Sequence, residues 1–192
     1  MDTIHPQMTS AAAEAVRITA AVDPGRFAAV TPCPAYDTRA LTNHLVAYTG
    51  VGMELRARRE PHPDDLATRD FTAAPDWAAA YALDLDRALA AWAEPAAWEG
   101  EVPMGDAAMP AGAVARMLFL ELTLHAWDLA KATGQEYRAD EGTAQLMLDT
   151  VEEFAAMYRQ YEGFAEPVPA RSGASVLETA VARSGRDPYW RA

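Results

Sequence analysis

ELTLHAWDLAKATG, residues 121–134, sets a carboxylate and an imidazole four positions apart inside an otherwise apolar helical run. On an α-helix such a pair lies one above the other on a single face. At about 100° per residue, Val114, Leu118, Glu121, His125, Asp128 and Ala132 fall along one stripe. A charge buried without a partner is costly, so Glu121 and His125 both need one. One divalent metal ion would satisfy them, with a third ligand from another helix. The bland alternative is a buried His–Glu hydrogen bond with no ion, and the spacing alone leaves both open. Pro110 suits the first turn of this helix and Gly134 its C-cap, which gives a span of Ala111–Thr133. Its apolar residues run almost all round, so it is predicted to be the most buried helix.

Periodicity predicts three further long helices before it or around it. The first runs Pro6–Val22, with Ile4, Met8, Ala12, Ala15, Ile18 and Val22 as its stripe and Asp23-Pro24-Gly25 as its stop. After an extended connector, Arg26–Tyr36, Asp37 caps a second helix, Thr38–Glu60. Leu41, His44, Leu45, Tyr48, Val51, Gly52 and Leu55 make its inward face, so His44 points into the core. A third helix spans Pro75–Ala93, with Tyr81, Leu85 and Leu89 as core and Leu83 and Trp92 partly buried. Residues 98–110 break the helical period around a Met104-Gly105-Asp106 turn and read as a short hairpin or ordered loop. Beyond the fourth helix, Asp140 caps a fifth that runs to Tyr161. A short sixth follows over Ala174–Arg183, and GRDPYW, residues 185–190, forms a terminal clip in which Tyr189 and Trp190 dock. The expected fold is all-α: one domain, residues 1–192, built as a four-helix bundle with a C-terminal helical extension.

Composition narrows the function. The chain is 51% hydrophobic and 23% charged, with a net charge of −12 and one lysine, Lys131, against fifteen arginines. Such a surface is a poor partner for nucleic acid or an anionic membrane. A lone cysteine, Cys33, permits no intrachain disulfide and suits a reducing compartment. The N-terminus has no basic start followed by an apolar run, and no stretch is long enough for a membrane helix. A cytoplasmic protein is expected. No phosphate-binding glycine loop, nucleophile elbow or Cys-x-x-Cys pair is present.

Among the polar residues, Glu121 and His125 from one helix and His44 from another form a ligand set for zinc or a related divalent ion, leaving coordination positions open. Asp128, three residues after His125, is expected to accept a hydrogen bond from a ligand imidazole; a fourth ligand or a plain helix-internal polar group are the alternatives. His5 and His62 read as solvated surface residues. Cys33, between two prolines, reads as a small packing residue, and Trp127 as core. An open cleft is expected between the Met104–Met109 connection and the start of the second helix.

Three stretches carry a family resemblance. TPCPAYDTRALTNHLVAYTG, residues 31–50, resembles the T-P-C-x-x-W-x-x-x-x-L-x-x-H-L segment of actinobacterial proteins of the mycothiol-dependent maleylpyruvate isomerase N-terminal type. ELTLHAWDLAKATG resembles their E-x-x-x-H-x-W-D-L-A-x-A-T-G helix, and GRDPYW their G-R-D-P-x-W ending. The wider group is the DinB/YfiT-like superfamily of metal-binding four-helix bundles. The resemblance implies a DinB-like fold and His44, Glu121 and His125 as metal ligands. It implies a divalent ion, zinc first and nickel or another as alternatives, with mycothiol as a co-substrate. Tyr36 stands where the pattern carries tryptophan, a mild change. The isomerase has a further C-terminal domain that this chain is expected to lack, so its particular reaction is not carried over.

Two functions are therefore expected to compete. One is an enzyme, a mycothiol-dependent isomerase or thiol S-transferase, acting on a small molecule through a metal-assisted thiol. The other is a non-catalytic metal- or small-molecule-binding helical module. Related bundles pair, so a homodimer is one expected assembly.

Overall fold

Helix α1, His5–Ala20, buries Met8, Ala11, Ala12, Ala15, Ile18 and Thr19 along one side. It stops where the Asp23 carboxylate accepts from the Gly25 N–H at 2.8 Å and a 3₁₀ turn, Pro24–Arg26, begins. These elements come from a computed structural model that describes residues 4–105 and 107–192. Asp106, read from the sequence as a turn residue, lies outside the described residues.

The second rod begins with α2, Thr38–Leu45, capped by the Asp37 carboxylate on the Ala40 N–H at 2.8 Å. It continues through a π-helical segment, Val46–Val51, into α3, Gly52–Arg58. Helix α4, Trp77–Ala93, runs back along it. A hairpin, β1 Glu101–Met104 and β2 Ala107–Pro110, pairs antiparallel with Val102 opposite Met109. Helix α5, Ala111–Ala132, completes the set. Helix α1 packs on α4 and α5, and the α2–α3 rod packs on the same two, so the four lines of helix close into a bundle. One apolar cluster fills it, with Trp92, Tyr81, Phe119, Met8, Ile18, Leu41 and Met53 among its sealed side chains. Helix α6, Glu141–Gln160, capped by Asp140, lies against α5 and α1. Helix α7, Val176–Arg183, starts with a reciprocal Ser175–Glu178 capping box and packs on α6. No helix among the described residues is long and apolar enough to cross a membrane.

Most expected spans match within two residues, but two core readings change. Leu83 is 60% exposed, whereas Trp92 is fully buried and donates its indole N–H to the Met53 carbonyl at 2.9 Å. The second helix departs more. The stripe Val51, Gly52, Leu55 assumed an unbroken α-helix; Gly52 is buried as expected, but Met53 and Ala57 are buried with it while Val51 and Leu55 are only half-buried. A π turn takes roughly one residue more than an α turn and so rotates everything after it by one position. In a continuous α-helix Leu55 would sit about 20° from His44, and Arg56 about 120° away. After the π turn, Arg56 and not Leu55 comes round to the side of His44, where Arg56 and His44 line one cavity.

The crowding of α4 accounts for where that turn falls. At Gly50 an added Cβ would lie 3.0 Å from the Asp84 Cβ and 3.2 Å from the Tyr81 ring. One residue earlier, the Thr49 hydroxyl bends back to the Leu45 carbonyl at 2.7 Å and meets the Tyr81 hydroxyl at 2.6 Å. Gly50→Ala is expected to destabilise the protein by about 1–3 kcal/mol in urea unfolding, because neither backbone nor ring can retreat. Gly112→Ala, at a helical position with nothing within 4 Å, is expected to stabilise by up to about 1 kcal/mol.

Candidate metal centre

Glu121 and His125 project from one face of α5, and His44 meets them from α2. The Glu121 Oε1 atom accepts from His44 Nε2 in a short contact and lies 3.3 Å from His125 Nε2. The two imidazole rings stand 4.9 Å apart at 83°. One ligand atom from each of the three residues lies within 4.8 Å of the others. Two imidazole nitrogens and a carboxylate oxygen at that spacing are a donor set that could hold zinc or a neighbouring divalent ion.

Each histidine is fixed through its other nitrogen. His44 sits between the rings of Tyr36 and Tyr48, with centroids at 4.9 and 4.7 Å, and its Nδ1 is 3.2 Å from the Tyr36 hydroxyl. A hydroxyl can donate or accept, so this contact serves whether Nε2 carries a proton or is bared to an ion. An indole N–H only donates. Tyr36, standing where the family pattern carries tryptophan, thus gives His44 Nδ1 a partner that can act in either sense. His125 Nδ1 donates to Asp128 Oδ2 at 3.0 Å. Asp128 has no exposed surface, and Arg186 grips both its oxygens, with Nε 2.9 Å from Oδ1 and Nη2 2.9 Å from Oδ2. The carboxylate is thereby fully engaged away from the cluster. Cys33, His125 and Asp128 also lie within 4.8 Å of one another, but Asp128 is already paired with Arg186 and His125.

The charges hold one another in place. Burial opposes the Glu121 carboxylate, but the His125 charge and the bonds from both histidines keep it far below the usual carboxylate range. Burial likewise opposes the His125 imidazolium; Glu121 and then Asp128 override it and raise its pKa to about 9. Burial opposes the Arg186 and Asp128 charges too, and each is restored mainly by the other. Cys33 goes the other way: burial, then the Asp128 charge, push its thiol up, so it stays protonated.

Cavities open on both sides of the cluster. Cys33, Tyr36, His125 and Arg186 line one of about 230 Å³. Tyr48, Arg56, Met104 and Met117 line another of about 290 Å³. His44, Glu121 and Tyr158 border both, and Glu121 shows 24% of its side chain to them. The expected cleft beside Met104 is the second cavity. The Tyr158 ring, stacked on Phe164 at 4.6 Å, is a wall shared by the two.

His44, Glu121 and His125 are thus brought together, with Asp128 behind His125. His5 lies elsewhere and bonds the Leu89 carbonyl at 2.9 Å. His62 is not a solvated surface residue: it is half-buried beside Tyr48, and its buried Nε2 has no hydrogen-bond partner among the described residues. Cys33 lines the first cavity rather than packing in the core. Trp127 is core, as expected. Sequence reading passed over Arg186, Tyr158 and Arg56. The first had a signal, because a buried Asp128 demanded a cation and GRDPYW offered one.

A family model described as the mycothiol maleylpyruvate isomerase N-terminal domain matches residues 8–130. No curated protein and no solved structure matches the chain. The matched segment contains all three clustered residues and Asp128; Arg186 lies beyond it.

Two outcomes are expected from the geometry. Arg186→Met strands the Asp128 carboxylate inside the protein and is expected to lower unfolding free energy by about 3–5 kcal/mol, most of it recovered in the Asp128→Leu, Arg186→Met pair. In metal-free protein the folded His125 pKa of about 9 lies above its ordinary 6.5. The stability its imidazolium contributes is then complete below pH 6.5 and lost as pH rises through about 9. An NMR titration of the His125 ring is expected to show that midpoint, and Asp128→Asn to move it down.

Proposed function

We propose, on the premise that the chain belongs to the mycothiol maleylpyruvate isomerase N-terminal domain family, that His44, Glu121 and His125 hold one divalent metal ion and that the protein carries out metal-assisted thiol chemistry on a small molecule. That domain sits in the DinB-like superfamily, in keeping with the all-α bundle described above. The observation that carries the reading is the convergence of three ligand atoms within 4.8 Å at the border of two cavities.

The surroundings suit an ion. Asp128 and Tyr36 take the far nitrogens of the two histidines, which leaves both Nε2 atoms facing Glu121, the arrangement that orients imidazole ligands. We assign zinc first, since nitrogen and oxygen donors in a three-residue set suit it, with nickel the alternative. Such an ion supplies Lewis acidity, which favours the thiolate of a low-molecular-weight thiol such as mycothiol over the thiol.

The chain's own residues then divide the work. His44 and His125 are held in one orientation by Tyr36 and Asp128. Arg186 neutralises Asp128, so His125 meets a fixed acceptor and not a mobile one. The first cavity offers room for a thiol beside Glu121, and the stacked Tyr158–Phe164 pair keeps bulk water from its far wall. An isomerase or S-transferase is the activity we assign, with small molecules as partners in a reducing cytoplasm. A purely structural ion would be closed off by a fourth protein ligand. Asp128, the nearest candidate, is committed to Arg186, and this favours the open, reactive reading over the binding-module one.

Elemental analysis of protein purified without chelator or a metal-binding tag is expected to give one divalent ion per chain in wild type and none in His125→Ala, with both folded. Chelation is expected to lower the wild-type Tm and leave that of His125→Ala nearly unchanged. Titration with mycothiol or a simpler thiol is expected to perturb the spectrum of cobalt-substituted protein. Equal chelator sensitivity in wild type and variant would remove His125 as a ligand, and a cobalt spectrum indifferent to thiols would favour the module.

A further inference from the structure

We propose that the second cavity binds a short organic monocarboxylate with an apolar body, its carboxylate on the free edge of Arg56 and its far end beside His44 and Glu121. The cavity is about 290 Å³, and its walls between those two ends are Tyr48, Met104, Val114, Met117 and Leu118. A slot with apolar sides and one cation selects an amphipathic anion. Two methionines in the wall let it adapt to bodies of different shape.

Arg56 is the anchor because of how it is held. Its Nη1 donates to the Pro103 carbonyl of β1 at 2.6 Å, and this is its one hydrogen bond among the described residues. The Nε and Nη2 pair, the edge that grips a carboxylate side-on, is left free. Nor does any carboxylate lie within 4.0 Å of the guanidinium among those residues, although the chain holds 28 acidic residues against 16 basic ones. Arg17, Arg69 and Arg87 sit on carboxylates at the surface and Arg186 does so inside, while Arg26, Arg59 and Arg159, which like Arg56 bond only carbonyls, do not line this cavity. A half-buried guanidinium without an anion is costly, and its pKa is accordingly pushed down by burial.

His62 closes the same end. Burial, then the Arg56 charge, keep its imidazole neutral, and its buried Nε2 has no partner among the described residues. Arg56 is consequently the cation of that end. At the other end stands the Glu121 carboxylate, so a monoanion enters with its charge towards Arg56 and its apolar body towards the cluster. That the bound acid is a substrate rests on the metal-dependent reading; that it binds here does not.

The test is calorimetric titration of the whole protein with hexanoate and phenylacetate against hexanamide and phenylacetamide. Wild type, Arg56→Gln, Arg56→Lys, Met117→Trp and His125→Ala are compared, the wild type both metal-loaded and chelated. Carboxylates are expected to bind wild type at least about tenfold tighter than their amides, the scale of a charge-assisted hydrogen bond. That preference is expected to survive chelation and His125→Ala, to vanish in Arg56→Gln at unchanged metal content, and to return in part in Arg56→Lys. Met117→Trp, which fills the slot without touching Arg56, is expected to abolish binding of acid and amide alike. Absence of carboxylate binding to wild type, or an undiminished preference in Arg56→Gln, would overturn the proposal. Loss of the preference on chelation with Arg56→Gln unaffected would put the carboxylate on the metal, sinking this site while leaving the metal reading intact. A preference found in wild type that purifies without any bound ion would support this site while removing the metal reading.

Discussion

Asp128 is a carboxylate with none of its surface exposed, carried on α5, a helix most of whose residues are buried. Removing an ion from water costs several kcal/mol, and the cost is offset only by close, well-aligned partners. Two are supplied: the guanidinium of Arg186, which reaches both oxygens, and the Nδ1–H of His125. Much of the architecture serves to deliver that guanidinium. Helices α6 and α7 carry the chain round so that residue 186 arrives behind α5, 58 positions after its partner, and the aromatic pair Tyr158–Phe164 fills the intervening space.

Once Asp128 is fixed, the rest of the cluster is ordered through it. His125 is tethered at Nδ1 and can present only Nε2 to Glu121. The same Glu121 oxygen draws in His44, which the rings of Tyr36 and Tyr48 hold in one plane. The sequence Arg186, Asp128, His125, Glu121, His44, Tyr36 is a chain of alternating donors and acceptors that crosses the bundle. Such a chain is rigid because each member's proton placement constrains the next. The cavities on its two flanks each carry one guanidinium, Arg186 in the first beside the Cys33 thiol and Arg56 in the second beside two methionines.

How much of this was legible in the sequence varied with the range of the interaction. Glu121, His125 and Asp128 are separated by three and four residues on one helix, so local periodicity placed them on a shared face. His44 was legible because a lone imidazole interrupted an otherwise apolar stripe. The caps at Asp37 and Asp140 and the hairpin before α5 also obey local rules. What failed was phase and distance. A period of 3.6 carries no memory of a π turn, so Val46–Val51 silently advanced the face and exchanged Leu55 for Arg56. Nothing in the spacing reveals that α4 approaches closely enough at Gly50 to favour the extra residue. Leu83 and Trp92 were misjudged for a related reason, since an alanine-rich helix leaves its inward face weakly marked. Tyr36 was identified as a motif position, but its hydroxyl gains meaning only from the His44 ring beside it.

The boundary of the family match carries a further consequence. Residues 8–130 contain Asp128 but not Arg186, so the segment that defines kinship is not the segment that closes electrically. The stretch of chain beyond α5 serves as a counter-ion cassette. Any other length of chain put in its place would have to return a cation to the same point behind the helix, because Asp128 has no exposed surface through which water could replace that charge.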